Sequence, residues 1–196
     1  MIVVGITGPI GSGKSYASAI LSEYGIPSID TDKVYHGLIS EYTETVRELE
    51  AEFGVGIVNP DGSVNRAVLG GIVFSDAKKL ERLNEITHKF VKKRTVELIE
   101  EYRLSGYKAI VLEVPLMFES GFDALCDEVV CVAADEQIRV ERIISRNGLS
   151  EKDAKKRIKN QKDIDFYIAN SSKVVYNNNH SDLRAQLDAL VKEINK

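Results

Sequence analysis

The stretch GPIGSGKS, which runs from Gly8 to Ser15, matches the phosphate-binding pattern G-x-x-x-x-G-K-[ST] at every position. Its glycines allow backbone N–H groups to turn inward around a phosphate, and the helix behind the loop adds the positive end of its dipole. In this pattern Lys14 reaches the β- and γ-phosphates, and the Ser15 hydroxyl is a ligand of Mg²⁺. The stretch therefore predicts a site for a nucleoside triphosphate with Mg²⁺.

The residues on both sides of this loop have the pattern that the motif requires. Ile2–Thr7 is a short run rich in β-branched residues, which is typical of a strand buried in a parallel sheet. Ser15–Tyr24 follows with Ala17, Ile20 and Leu21 at helical spacing. Because a strand precedes the glycines and a helix follows them, we favour a phosphate loop over a chance glycine-rich turn.

Two carboxylates follow the second predicted strand. Ile26–Ile29 is a short apolar run, and Asp30 and Asp32 come directly after it. Ligands of open parallel sheets bind beyond the carboxyl ends of the strands, where a carboxylate can accept the proton of a substrate hydroxyl. The alternative is that both residues serve as turn residues or helix caps. Beside a phosphate loop we expect at least one of them to be functional.

The rest of the chain predicts an α/β fold with a helical insertion. Residues 33–105 are charged and largely helical, with Asn65 and Ser75 as candidate helix caps. Strand patterns return at Lys108–Val114, Glu128–Ala133 and Lys173–Tyr176, and helical patterns occupy residues 138–161 and 181–194. This alternation predicts a parallel sheet flanked by helices, of the kind found in P-loop nucleotide-binding proteins.

Three arginines, Arg139, Arg142 and Arg146, recur at spacings of three and four, which places them on one side of a helix. For Arg139 we expect a solvated position paired to Glu136 and Glu141. The other two precede a break at residues 147–148, and we expect them on a segment that closes over the phosphates.

The amino-acid composition and net charge limit the kinds of partner that we expect the chain to bind. The chain has 196 residues and a formal net charge of −4, which does not indicate nucleic acid as a partner. A lysine-rich run at 152–162 is interleaved with acidic residues and favours a solvated helix face. The two cysteines, Cys126 and Cys131, are expected to be buried and reduced, in agreement with a cytoplasmic location. We see neither a signal peptide nor a membrane span, and we expect a monomer.

Further recognisable motifs occur along the chain outside the phosphate loop. In chain order they are residues 5–8 leading into 11–15, Ile29–Asp32, Val64–Gly70 with Val73 and Phe74, Leu83–His88, Pro115–Glu119, Arg142, Arg146, Arg157, Ile158, Gln161, Val174, Val175 and Asn177. The phosphate loop is shared by many families, whereas Asn-Arg-x-x-Leu-Gly and Pro-Leu-x-Phe-Glu are much more specific. With these elements the chain resembles the dephospho-coenzyme A kinase family over nearly its whole length.

The resemblance implies transfer of the ATP γ-phosphoryl group to the ribose 3′-hydroxyl of dephospho-coenzyme A, the last step of coenzyme A synthesis. It implies a nucleotide-binding core at 1–32, 106–138 and 170–196, a substrate domain at 33–105 and a lid at 139–169. The implied catalytic residues are Asp32 as the base, Lys14, Arg142 and Arg146. The implied ATP site comprises Gly11, Ser12, Gly13, Lys14, Ser15, Tyr16 and Asn177. Arg66 and His88, with Asp32, fall on the substrate side.

Five positions depart from the usual family pattern: Pro9, Tyr16, His36, Lys89 and Glu113. Of these, His36 replaces a common arginine and most affects the handling of substrate. Another kinase of nucleosides, nucleotides or sugar acids is the nearest alternative, and the motifs at Asn65 and Pro115 speak against it. A GTP-dependent switch would need Asn/Thr-Lys-x-Asp, and the string at 160–163 has the wrong order.

Overall fold

The computed structural model describes residues 1–194, in which an α-helix follows four of the five strands. The strands are β1 (Ile2–Thr7), β2 (Ser28–Asp30), β3 (Ala109–Glu113), β4 (Glu128–Ala133) and β5 (Lys173–Tyr176). The helices are α1 (Lys14–Glu23), α2 (Thr31–Ile39), α3 (Glu44–Phe53), α4 (Arg66–Val73), α5 (Ala77–Leu104), α6 (Glu136–Asn147), α7 (Glu151–Lys159), α8 (Ile164–Asn170) and α9 (Leu183–Ile194).

The strands form one five-stranded sheet in the order β2-β3-β1-β4-β5. Strand β1 pairs in parallel with β3 and with β4, and β4 pairs in parallel with β5. Because β1 lies in the middle, the loop that leaves its carboxyl end is flanked by the ends of β3 and β4. The expected α/β fold with a parallel sheet flanked by helices is confirmed.

The chain divides into two compact units, of which the first contains Met1–Ile29 and the chain from Ile99 onward. One apolar cluster of this unit joins β1, β3 and β4 to α1 and α9, through residues such as Ile6, Ile20 and Leu187. A second cluster packs Tyr167 of α8 against Cys131 and Ala133. Burial between helices explains why β1, β3 and β4 are nearly continuous apolar runs.

The second unit is Asp30–Leu98, which is helical with its own core. That core contains Val46 and Leu49 from α3, Leu69 and Val73 from α4, and Phe90 from α5. The Asn65 side chain accepts a hydrogen bond from the Val68 N–H and caps α4 as expected. A tight turn and an isolated antiparallel bridge between Val58 and Val64 precede that cap.

Two expectations about helices need correction. The cap of α5 is Asp76, whose side chain accepts from the N–H groups of Lys78 and Lys79, whereas Ser75 donates its hydroxyl back to α4. A carboxylate is the stronger acceptor at the positive end of a helix. The structure also contains a short helix, α8, where no helix was expected. Among residues 1–194, no helix combines the length and apolarity that crossing a membrane requires.

Candidate functional site

The phosphate loop joins β1 to α1 and depends on glycine at positions where a side chain has no room. Gly8 and Gly13 have φ angles of 139° and 101°, in the region that favours glycine. A Cβ atom on Gly8 would lie 2.3 Å from the Val132 carbonyl oxygen, and one on Gly13 would lie 2.1 Å from Asn177 Nδ2. Val132 of β4 and Asn177, which follows β5, therefore lie directly against the loop, and only glycine fits at these two positions.

Lys14 and Ser15, at the start of α1, have the positions that the motif predicts. The Lys14 ammonium donates to the carbonyl oxygens of Gly8 (2.8 Å) and Pro9 (3.3 Å), so that its charge lies across the mouth of the loop. The Ser15 hydroxyl donates to Glu113 Oε1 at 2.6 Å. Since a hydroxyl has one proton, this bond leaves the lone pairs of Ser15 Oγ available as acceptors or metal ligands.

Glu113 is a site residue that the sequence reasoning noted only as a departure from the family pattern. It ends β3 beside β1, is 9% exposed, and accepts from the hydroxyls of Ser15 and Ser18, the latter at 2.9 Å. The signal that could have identified it is an acidic residue at the end of an apolar strand next to a phosphate loop.

Hard oxygen ligands on one side of a triphosphate are the donor set that Mg²⁺ prefers. Ser15 Oγ and the Glu113 carboxylate fit this requirement, since both oxygens lie together at the loop. Within residues 1–194 there is no cluster of three or more His, Cys, Asp or Glu side chains that could hold a metal without such phosphates. Mg²⁺ sites that depend on substrate phosphates typically have only a few protein ligands.

Arg142 and Asn177 hold the outer side of the phosphate loop. Arg142 donates to the carbonyl oxygens of Gly11 (3.3 Å), Ser12 (3.2 Å) and Asn177 (2.9 Å). Asn177 Nδ2 donates to the Ser12 carbonyl at 2.8 Å. Because these carbonyl oxygens are engaged from outside, the loop can present its N–H groups inward. The structure thus brings together residues from α6, from the end of β5 and from the loop.

Arg139 contradicts the expectation of a solvated arginine paired to Glu136 and Glu141. Its side chain is 5% exposed, and its Nε donates to the Ala134 carbonyl oxygen at 3.1 Å. Burial lowers the pKa of Arg139, an effect that the charge of Glu136 partly offsets. The reason is geometric: Arg139 lies one turn before Ile143 on α6, and that side of the helix enters the core.

Gln161 is a second site residue for which the residues themselves had indicated no role. Its Oε1 accepts from the Ile10 N–H of the phosphate loop at 2.7 Å, across 151 residues of chain. Ile10 also packs on the apolar cluster between α6 and α7. The segment after α7 is therefore attached to the loop by both a hydrogen bond and an apolar contact.

A cavity of about 480 Å³ opens beside the loop, with Tyr16 and Asn177 on its wall. His180 and Arg184 line it as well, and the Tyr16 side chain is 58% exposed. This volume lies within the usual range for small-molecule sites. The two outermost residues of the predicted ATP site therefore share one cavity.

Asp30 and Asp32 differ clearly in their local roles. Asp30 Oδ1 accepts from the N–H groups of Asp32 (3.0 Å) and Lys33 (3.3 Å), which makes Asp30 the N-cap of α2. Asp32 lies in the first turn of α2 with an exposed side chain. Because Asp30 is committed to capping, Asp32 is the better candidate for chemistry.

Arg66 and His88 lie in the second unit, both with exposed side chains. Arg66 begins α4 beside Tyr35: burial raises the pKa of Tyr35, and the positive charge of Arg66 partly offsets that rise. His88 is on the solvent side of α5, next to Lys89, which continues the helix. Arg146 is also exposed and donates to Asn147 Oδ1.

Comparison with known proteins gives one consistent family. Residues 2–182 match a family model described as dephospho-CoA kinase. A dephospho-CoA kinase of Lactobacillus johnsonii is 37% identical over 194 residues, which cover 98% of each chain. The structure of the protein TT1252 from Thermus thermophilus superposes with a TM-score of 0.80 at 32% identity, covering 98% of this chain and 97% of the other. The structure of a dephospho-CoA kinase from Campylobacter jejuni superposes with a TM-score of 0.73 at 26% identity, covering 98% of this chain and 96% of the other. The chain therefore belongs to the dephospho-CoA kinase family.

Proposed function

We propose that this protein transfers the γ-phosphoryl group of ATP to the ribose 3′-hydroxyl of dephospho-coenzyme A. The family match over residues 2–182 supports this acceptor, and the intact phosphate loop supports the donor. In the reaction the hydroxyl oxygen bonds to the γ-phosphorus while the bond from that phosphorus to the bridging oxygen of ADP breaks. The proton of the hydroxyl leaves at the same stage, so a base is required.

In this mechanism Asp32 orients the ribose hydroxyl and accepts its proton. Its exposed side chain, in the first turn of α2, does not have the capping role that Asp30 performs.

Lys14, Ser15 and Glu113 act on the phosphates of ATP. Lys14 offsets negative charge on the β- and γ-phosphates, and Ser15 with Glu113 would hold Mg²⁺, which supplies further positive charge there. The hydrogen bond from Ser15 to Glu113 fixes the direction in which Ser15 Oγ offers its lone pairs. This is the contribution of the chain itself to metal binding.

Arg142 and Arg146 are proposed to act from the lid segment at 139–169. Arg142 supports the phosphate loop through the loop's carbonyl oxygens. Arg146 has an exposed side chain, and its proposed partner is the transferring phosphoryl group. Closure of the lid would exclude water and limit ATP hydrolysis. We assign binding of the acceptor to residues 33–105, which include Arg66 and His88. Contact with the adenine of ATP is assigned to Tyr16 and Asn177.

One assay tests the proposal. Purified protein is incubated with ATP, Mg²⁺ and dephospho-coenzyme A, and both ADP and coenzyme A are measured by chromatography. We expect the two products in equal amounts, and neither with the Lys14→Met variant. Shikimate, gluconate and nucleosides serve as competing acceptors. Faster phosphorylation of any of these than of dephospho-coenzyme A would contradict the proposed acceptor.

We further propose a monomer in the cytoplasm. The two described cysteines are free thiols, one buried and one half-buried, which agrees with a reducing compartment. Light scattering of the purified protein should give a mass near 21.8 kDa. A mass two or three times larger would contradict the monomer.

A further inference from the structure

Helix α4 presents an aromatic side chain that does not contribute to any described apolar cluster. Phe74, which follows the last residue of α4, is 79% exposed, although its neighbour Val73 is buried in the core of the second unit. Single exposed apolar residues are common on protein surfaces and need no explanation by themselves. The surroundings of Phe74 distinguish it from such cases.

The Phe74 ring folds back over Gly70, one turn earlier on the helix. A Cβ atom on Gly70 would lie 3.2 Å from Phe74 Cε2 and 3.4 Å from Cδ2, so the ring rests against the bare backbone of that glycine. Helical side chains generally point back towards the N-terminus, and glycine leaves the space that the ring occupies. One face of the ring is thereby supported, while the remainder stays open to solvent.

The positively charged residue Arg66 lies on the same side of the helix as Phe74. Arg66, Gly70 and Phe74 are spaced by four, and the Cα atoms of Arg66 and Gly70 are separated by about 6 Å along the helix axis. Arg66 forms no ion pair or hydrogen bond with any residue in the described part of the chain, and Tyr35 is its neighbour. We call Arg66, Gly70 and Phe74 the α4 platform.

We propose that the α4 platform binds the arm of the acceptor that carries no reacting group: the diphosphate at Arg66 and the branched apolar part of the pantetheine chain on the Phe74 ring. The proposal rests on the function proposed above. Dephospho-coenzyme A combines two negative charges with an adjoining apolar chain, and the platform combines a positive charge with an adjoining open ring. Burying this contact contributes to acceptor affinity without involving the phosphate loop.

The test compares the full acceptor with one that lacks the pantetheine arm. KM and kcat are measured with dephospho-coenzyme A, and the inhibition constant is measured for the methyl ester of ADP, which keeps the ribose and the diphosphate. We expect Phe74→Ala to raise KM for dephospho-coenzyme A about tenfold, because the apolar chain then has no ring to cover it. The inhibition constant of the methyl ester should stay within a factor of two. Arg66→Gln should weaken both ligands.

The helix itself offers matched controls. Val68→Ala shortens another exposed apolar residue on a different side of α4, and it should leave every constant unchanged. Gly71→Ala adds a methyl group where nothing lies within 4 Å, whereas a methyl group on Gly70 would lie 3.2 Å from Phe74 Cε2, so that the ring must shift by a few tenths of an ångström. We expect a raised KM for dephospho-coenzyme A with Gly70→Ala and a wild-type value with Gly71→Ala.

Distinct results would overturn the proposal. An unchanged KM in Phe74→Ala, or an equal weakening of both ligands, would show that the ring does not contact the pantetheine arm. A change of oligomeric mass in Phe74→Ala would instead assign the ring to contact between copies of the chain. If the wild-type protein does not phosphorylate dephospho-coenzyme A at all, the proposed function fails, which is a separate result.

Discussion

Asp30 and Asp32 are two residues apart and yet have different tasks, so a single pair of substitutions separates them. We predict that Asp32→Asn lowers kcat by about 10²–10⁴-fold, the usual range for loss of a general base. The KM for ATP should change little, since Lys14 and the loop remain. The measurement is the initial rate of coenzyme A formation at saturating substrates.

The matched control is Asp30→Asn. Asparagine caps helices about as well as aspartate, and Asp30 already accepts the N–H groups of Asp32 and Lys33. We therefore expect kcat within a fewfold of wild type. A decrease in Asp30→Asn as large as that in Asp32→Asn would mean that the assignment of the base to Asp32 is wrong.

Two constraints require glycine at position 13, a positive φ angle and a close contact, and only the first of them applies to Gly25. Both have positive φ angles, 101° and 77°, but only at Gly13 would a Cβ meet another atom within 4 Å. We predict that Gly13→Ala abolishes measurable ATP binding because Asn177 is displaced from the loop. Gly25→Ala should cost about 1–2 kcal/mol of stability from backbone strain and leave the KM for ATP unchanged. Calorimetric titration with an unreactive ATP analogue and urea unfolding measure the two effects.

Arg139 illustrates how a residue can be misjudged from its spacing. The spacing placed Arg139 on one side of a helix with Arg142, and we expected it to be solvated and paired to acidic neighbours. The interval of four to Ile143, however, makes that apolar residue an equally good helical neighbour. Buried arginines are uncommon, and the unusual case was therefore not expected. The apolar positions Val140 and Ile143 carried the signal that could have revealed it.

At the scale of elements, the strands were the most predictable part of the fold. The expected bounds of Ile2–Thr7, Glu128–Ala133 and Lys173–Tyr176 coincide with β1, β4 and β5. Buried parallel strands are short apolar runs bounded by polar turns, so their ends are visible in sequence. Helix α8 was missed because its seven residues include aromatic and β-branched residues that have no strong helical preference.

The contacts of the site were less predictable than its motif. Lys14 and Ser15 could be identified from local pattern alone, and their positions in the loop followed from it. Gln161, and the contact of Glu113 with Ser15, depend on how distant elements pack, which one sequence does not reveal. For the same reason, the catalytic and binding roles of Asp32, Arg66, His88, Arg146 and Tyr16 stay predictions.

The link between Gln161 and Ile10 leads to a prediction about the segment after α7. We predict that Gln161→Ala raises the KM for ATP about threefold to tenfold, because the Ile10 N–H loses its acceptor and the loop becomes less ordered. Gln137→Ala is the control, since Gln137 is an exposed glutamine of α6 whose side chain donates to Glu141. Equal KM values for the two variants would contradict a supporting role for Gln161.

At the scale of the whole molecule, three acidic groups, of which two are buried and one is half-buried, make the fold sensitive to high pH. Burial raises the pKa of Cys126 to about 12, of Cys131 to about 11 and of Tyr167 to about 12. The unfolded chain releases the cysteine protons at about pH 9 and the tyrosine proton at about pH 10, while the folded chain retains them. Stability is therefore full below pH 9 and falls as the pH rises towards 12.

We predict that the free energy of unfolding decreases between pH 9 and 11, by up to about 1.4 kcal/mol per pH unit for each such group. Tyr167→Phe should reduce this slope. It should also retain or increase stability at pH 7, because the Tyr167 hydroxyl is buried without a hydrogen-bond partner among the described residues. Urea unfolding followed by circular dichroism at pH 8, 9.5 and 11 gives the slopes.

Tyr107→Phe removes a half-exposed phenol and serves as the comparison. The same slope in Tyr167→Phe as in the wild-type protein would indicate that the burial of this phenol does not cause the alkaline loss of stability.

The hydrogen bond that Asn177 donates to the Ser12 carbonyl has a consequence for how the protein is made. The two residues are 165 positions apart, and a ribosome needs roughly 10–30 s to add that many residues. During this interval the nascent chain carries the full phosphate-loop motif, but its outer carbonyl oxygens have not yet received their partners from α6 and β5. A nucleotide can therefore find its completed site only on a nearly finished chain.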